Sequence, residues 1–357
     1  MKRILFAMFF FPSVLGWAAP PPHILFILAD DLRPDGLHAL GNAVVRTPHL
    51  DRVVENGFVF RHAYTLGSNS GAVCMPSRTM IQTGISYLRA RGNTPTLAQT
   101  IKAAGYASIH SGKFSNNPNA LDVDFDQHVD GKTAEGNANN IIAFIKKHAG
   151  TKPLFLYFAP HEPHDPQYAP DSYYPMYKPA DIPLPPNFLP LHPFDNGEMN
   201  VRDEKTLPWP RTRENVTGKL ARYYASISYL DDQAGRILEA LQQAGLFDNT
   251  LIIVAGDNGL SLGEHGLLGK QNLYEFGGMH VPRCSPVQTS RKGRPMRLRI
   301  SWTSIRPSAS SSAFPCPRGL TEGAFCRFSP AKPTGSAIML SPPTKMSSGR
   351  FAINAGS

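Results

Sequence analysis

Four short apolar runs, each ending abruptly in polar residues, constrain this 357-residue chain more than anything else in it. They are HILFILADD (23–31), YASIHSGK (106–113), LFLYFAPHEPH (154–164) and LIIVAGDNG (251–259). A strand with one wet face alternates apolar and polar residues, whereas one buried on both faces does not. These runs do not alternate, so they predict strands of a largely parallel sheet covered on both sides. Helical patterns fall between them: one from Thr96 to a stop at Gly105, one carrying Ile141, Phe144 and Ile145 up to Gly150, and a longer one from about Gly218 to Gly245. Alternating strands and helices predict an α/β fold with a central sheet flanked by helices.

In such sheets ligands collect beyond the carboxyl ends of the strands, and the polar residues of all four runs sit there. Asp30 and Asp31 follow the first run, Asp257 and Asn258 the last. Either pair alone reads as a helix cap or a solvated turn. Both pairs at one sheet edge make an oxygen donor set suited to a hard cation, Ca²⁺ or Mg²⁺, rather than zinc. Residues 165–213, crowded with Pro and Tyr, leave the sheet directly after His161 and His164 and are expected to form a wall of the same site.

Cys74 is the lone cysteine before residue 283. Pro76 suits the first turn of a helix that stops at Gly84, which places Cys74 at that helix's N-terminus. A buried, inert cysteine is one reading of it; a chemically employed one is the other.

Cys-x-Pro-Ser-Arg at 74–78 decides between them, because it resembles the signature of the type I, formylglycine-dependent sulfatases of the alkaline phosphatase superfamily. The similarity runs in family order through Asp30-Asp31, Gly112-Lys113, Pro160-His161-x-Pro163-His164, Asp257-Asn258-Gly259, Gly263-Glu264-His265-Gly266 and Gly269-Lys270, and covers about residues 23–282. It implies a mixed, largely parallel sheet and a sulfuric ester hydrolase. It also implies that a maturing enzyme oxidises Cys74 to formylglycine, whose hydrate attacks sulfur after losing a proton to Asp257. By the same resemblance Asp30, Asp31, Asp257, Asn258 and residue 74 hold Ca²⁺ or Mg²⁺. Arg78, Lys113 and Lys270 neutralise the sulfuryl charge, and His161 protonates the leaving alcohol. His164 and His265 are expected to contact substrate, a sulfated small molecule or polysaccharide. Where many relatives read Gly-Lys-x-His, this chain has Ser115, which donates a hydrogen bond but carries no charge, so a weaker grip on sulfate is expected unless His110 or His128 fills the gap. A phosphoester or phosphonate hydrolase of the same superfamily and an inactive fragment are the alternatives.

The two ends read differently. Residues 1–19, with Lys2 and Arg3, an apolar run too short to span a membrane comfortably, and small residues at Gly16 and Ala18, predict a secretory signal peptide and a secreted or periplasmic protein, free of the membrane after cleavage. Residues 283–357 hold twelve Lys or Arg and one acid, Glu322, whereas the rest carries 24 basic and 26 acidic residues. The net charge of +9 therefore resides in the tail and gives no reason to expect nucleic acid as a partner. The tail's Ser, Pro and Arg bury too little apolar surface to offset chain entropy, so disorder is expected there. A shifted reading frame near codon 283 is one hypothesis for so abrupt a change. Resequencing the locus tests it, and an intact frame would refute it. A basic extension that tethers the chain to sulfated polymer is the alternative.

Overall fold

The computed structural model describes residues 20–67, 73–90, 93–114, 124–271, 274, 277–286, 299–301 and 304–306. The expected signal peptide, Ser115 and most of the expected tail lie outside these residues.

The four apolar runs are four adjacent strands at the centre of one sheet: β1 (His23–Ala29), β3 (Ala107–Gly112), β5 (Leu154–Ala159) and β6 (Thr250–Gly256). Between them in sequence come β2 (Gly57–Val59) and β4 (Gln127–Val129), and β7 (Arg283–Pro286) follows; the sheet order is β2-β7-β6-β1-β5-β3-β4. β1 lies parallel to both β5 and β6, and β3 parallel to β5 and β4; β7 alone runs antiparallel to its neighbours β6 and β2. The sheet is thus mixed and largely parallel.

Both faces are covered, which is why the runs do not alternate. Leu25, Ile27, Leu156, Phe158, Ile252 and Val254 face one apolar cluster, with residues of α1 (Pro48–Glu55), α4 (Ala134–His148) and α5 (Arg213–Gln243). Their neighbours in sequence, Ile24, Phe26, Phe155, Tyr157, Leu251 and Ile253, face a second cluster with Leu97, Ala98 and Ile101 of α3 (Leu97–Ala103). α3 starts at a capping box, Thr96 accepting from the Gln99 N–H while the Gln99 side chain accepts from the Thr96 N–H. α5 begins earlier than its apolar period suggests, because Thr212 caps it by accepting from the Asn215 N–H.

Two features depart from the sequence reading. The short strands β2, β4 and β7, of three or four residues each, lie outside the four apolar runs. And the expected boundary after Pro282 falls just before β7, so the sheet continues past it: Cys284 is buried and pairs with Val254 of β6. A further hairpin, β8 (Arg299–Ser301) with β9 (Ser304–Arg306), lies within the expected tail.

The Pro/Tyr-rich stretch 165–213 is an ordered wall. It contains three short 3₁₀ turns, and it is fastened to α5 by Tyr173 Oη donating to Asp232 (2.6 Å) and by Tyr177 Oη sharing a hydrogen bond with Ser228 Oγ (2.5 Å).

Candidate active site

Register places the site. β1 pairs with β6 to its last residue, Ala29 opposite Gly256, so Asp30 and Asp31 emerge beside Asp257 and Asn258. β3 pairs with β5 to Gly112 opposite Ala159, and the Lys113 N–H donates to the Ala159 carbonyl (2.7 Å). Gly112 is required there: its φ is +131°, and a Cβ would lie 1.9 Å from the Ala159 oxygen. Above this edge α2 (Cys74–Thr83) presents its first residue and stops at Gly84 in the left-handed conformation, φ 69°.

Cys74 is 7 % exposed and sits among these groups. Its Sγ lies 3.3 Å from Asp30 Oδ1, 3.8 Å from Asp31 Oδ1, 3.4 Å from Asn258 Nδ2 and 3.1 Å from Lys270 Nζ. Each buried carboxylate has its own cation. Lys270 Nζ donates to both Asp31 oxygens (2.7 and 2.6 Å), Arg78 Nε to Asp257 Oδ2 (2.8 Å), and Lys113 Nζ to Asp30 Oδ2. Asp257 Oδ1 also accepts the Asp31 N–H (3.0 Å), and Ser77 Oγ donates to the Asp257 carbonyl (2.6 Å), tying α2 to the strand ends.

The electrostatics follow from burial and pairing. Burial pushes the Asp31 carboxyl up to about 6, with Lys270 opposing and Asp30 and Asp257 adding to it. For Asp30 the paired cations Lys113 and Arg78 outweigh burial and hold the carboxyl well below its ordinary range. Burial, then Asp257, Asp30 and Asp31, push the Cys74 thiol up and keep it protonated. Reactive thiolates sit in electropositive surroundings, so these surroundings do not suit a cysteine nucleophile.

The donor set fits a hard cation. Asp30, Asp31 and Asp257 converge as three buried carboxylates, and a dication would relieve their mutual repulsion. Ligand atoms of Asp30, Asp31, Cys74 and His164 all lie within 4.8 Å of one another. Asn258 turns its amide nitrogen to the sulfur, and a half-turn of that amide offers oxygen instead. Arg78 keeps a buried Nη2 that lies 3.8 Å from Asp30 Oδ1 and has no hydrogen-bond partner among the described residues, so its N–H is available to an anion.

The expected histidines separate. A turn closed by the His164 N–H donating to the His161 carbonyl (3.0 Å) sends the two rings to different partners. His164 is the one that joins the cluster: its Nε2 is 3.5 Å from Asp31 Oδ2, and its Nδ1 is 2.7 Å from the Asp165 carbonyl, to which it donates. His161 is 42 % exposed and places Nε2 3.2 Å from both oxygens of Asp130. His265 stacks on Tyr274 at 4.3 Å and shares a hydrogen bond with Asn187, as part of the wall. His110 stacks on Tyr157 and meets the edge of His128, both at 5.0 Å, within an aromatic cluster.

Sequence reasoning missed the buried acids that hold the loop bearing Lys270. Glu204 accepts from the N–H groups of Leu268 (3.1 Å) and Gly269 (3.0 Å) and pairs with Arg211 (2.8 Å). Glu264 accepts from the Leu262 N–H (2.5 Å) and pairs with Arg33 (2.7 Å). Glu264 belongs to the Gly-Glu-His-Gly motif, whereas Glu204 lies in a stretch with no pattern to mark it.

Comparison with known proteins agrees with this geometry. The family model for sulfatases matches residues 22–283. Iduronate 2-sulfatase of Mus musculus is 27% identical over 361 aligned positions, covering 82% of this chain and 62% of its own length. An arylsulfatase of Clostridium perfringens is 25% identical, covering 73% of this chain and 67% of its own. The chain thus spans about three fifths of the length of the iduronate sulfatase it matches. Among solved structures, a phosphonate monoester hydrolase of Agrobacterium radiobacter shares the fold with a TM-score of 0.59 at 21% identity, covering 74% of this chain and 68% of that one. With the family model spanning most of the chain, and the paired acids, cysteine and lysines gathered at one sheet edge, the chain belongs to the sulfatase family.

Proposed function

We propose that this chain is a sulfuric ester hydrolase acting on sulfated carbohydrate, with residue 74 as formylglycine and a Ca²⁺ ion held by Asp30, Asp31, Asp257 and Asn258. One observation carries the reading. Cys74 stands at the N-terminus of α2 in contact with Asp30, Asn258 and Lys270, in surroundings that disfavour a thiolate but suit a neutral oxygen nucleophile flanked by cations. The hydrated aldehyde supplies that nucleophile, and Ca²⁺, when bound, supplies Lewis acidity toward the sulfate oxygens.

This chain's own residues do the rest. Arg78 carries a buried Nη2 without a hydrogen-bond partner among the described residues that can donate to a sulfate oxygen, and Lys113 and Lys270 bring two more cations to the same centre. Lys270, anchored on Asp31, steadies residue 74. His164, once doubly protonated, takes the proton-donating role first expected of His161, because its Nε2 faces the cluster while that of His161 faces Asp130. The carbohydrate part of the proposal draws on the relative's name, iduronate 2-sulfatase. Export and a maturing enzyme as partner belong to the same proposal and draw on the N-terminal pattern and on Cys-x-Pro-Ser-Arg.

The test is mass spectrometry of the peptide containing residue 74 after co-expression with a maturing enzyme, together with turnover of 4-nitrophenyl sulfate against the matching phenylphosphonate ester. The expected result is loss of the thiol mass and a preference for the sulfate ester. A preference for the phosphonate would replace this reading with the superfamily alternative, and turnover that is independent of the modification would remove the proposed nucleophile.

A further inference from the structure

Next to the cluster, one arginine of the 165–213 wall is fixed as surface arginines seldom are. Arg202 has a side chain 64% exposed, yet Nε (2.8 Å) and Nη2 (2.5 Å) both donate to Asp203 Oδ1. Nη2 also lies 3.3 Å from Asp165 Oδ1 and 3.3 Å from His164 Nε2. Asp203 is buried and is itself held by Gln271 Nε2 (3.3 Å), in the residue next to Lys270. The guanidinium is therefore locked along one edge, and its Nη1 has no partner among the described residues. A planar fork held this way loses little freedom on meeting a carboxylate or sulfate.

The surroundings favour an anion. Lys219, half-buried in α5, feels the charges of Asp165 and Asp203 and of Arg211 and Arg222, and its ammonium has no bonded partner among the described residues. Arg222 lies over the Tyr174 ring at 4.9 Å. Arg202 feels Asp203, Asp165 and Asp31, and Lys219 and Arg222 add two further cations to this region. Arg202 touches His164, which touches Asp31, which lies beside Cys74, so two residues link the guanidinium to the cluster.

Resting on the sulfatase reading above, we propose that Arg202 is a specificity-determining residue: its free guanidinium edge binds a second anionic group of the substrate, a carboxylate or a further sulfate on the sugar beside the ester being cleaved. A neutral ester gains nothing from Arg202 beyond its effect on His164, and that effect is common to all substrates.

The test measures kcat/KM of wild type, Arg202→Ala and Arg202→Lys on 4-nitrophenyl sulfate, on a monosulfated uronate disaccharide, on the same sugar with its carboxylate reduced, and on a neutral disulfated disaccharide. Arg202→Ala is expected to lower the ratio of acidic-sugar to aryl-ester turnover about 10-fold or more, the size of one charged hydrogen bond, with Arg202→Lys in between. Loss confined to the uronate identifies a carboxylate, and loss confined to the disulfated sugar a sulfate. An unchanged ratio overturns the proposal. Calorimetric titration of the monosulfated uronate disaccharide into protein bearing unmodified Cys74 separates the two readings. If wild type cleaves no ester but binds this sugar about 10-fold tighter than Arg202→Ala, the anion site stands and the sulfatase reading falls; equal binding overturns the anion site.

Discussion

At the scale of single residues, Lys270 is the clearest case of one side chain serving two ends. It is 6% exposed, bonds both oxygens of Asp31 and touches the sulfur of Cys74. Removing one partner of a buried ion pair strands the other and costs about 3–5 kcal/mol. Lys270→Ala is therefore expected to lower unfolding stability by about that amount, read from urea denaturation at neutral pH. It should also abolish ester hydrolysis in whatever protein stays folded. A stability loss under about 1 kcal/mol, the value of a surface pair, would show that Asp31 is not held this way. Asp30, Asp31, Lys113, Asp257 and Asn258 were legible in the sequence because each follows a buried strand, Cys74 and Arg78 because they share a motif at the start of a helix, and Lys270 through its Gly-Lys motif alone. The choice between His161 and His164 was not legible, since the direction of each ring depends on a turn within the Pro-His-x-Pro-His segment. Nor was Arg202, which gains its place only through contacts with Asp165 and Asp203.

At the scale of elements, α1 and α5 are joined through Asp231, a carboxylate buried in α5 that accepts from the backbone N–H groups of His49 (3.1 Å) and Leu50 (2.7 Å) at the start of α1. Burial pushes this carboxyl up to about 7; the two N–H groups oppose the shift, and Asp232 and Asp51 add to it. The unfolded chain ionises Asp near 4. Between about pH 4 and pH 7 the native state therefore holds a proton that the unfolded state has lost, and stability from this group falls as pH rises, by about 1.4 kcal/mol per unit. Urea midpoints at pH 5 and pH 7.5 check it. Asp231→Asn is expected to flatten that decline, and a variant as steep as wild type would assign the decline to other groups. The long strands and helices were legible from apolar period and caps. The short strands β2, β4 and β7 were not, because three or four residues form a strand only once a neighbour is in place to pair with them.

At the scale of the whole molecule, three buried aspartates at one sheet edge should make folding depend on a dication. Protein stripped with EDTA is expected to gain apparent stability on titration with Ca²⁺, about 2.7 kcal/mol when Ca²⁺ stands 100-fold above its Kd. Thermal melts with and without Ca²⁺ measure this, and Asp257→Asn should blunt the response. Melts that Ca²⁺ leaves unmoved would remove these residues as its ligands. The topology carries a practical consequence for anyone trimming the molecule. β7 is the sole described strand bonded to β2, and it covers one side of β6. A version cut back to Pro282 would set β2 adrift and bare a row of backbone donors and acceptors on β6, ready to recruit another copy's strand and precipitate. Any shortened version of this chain must therefore keep β7 whole.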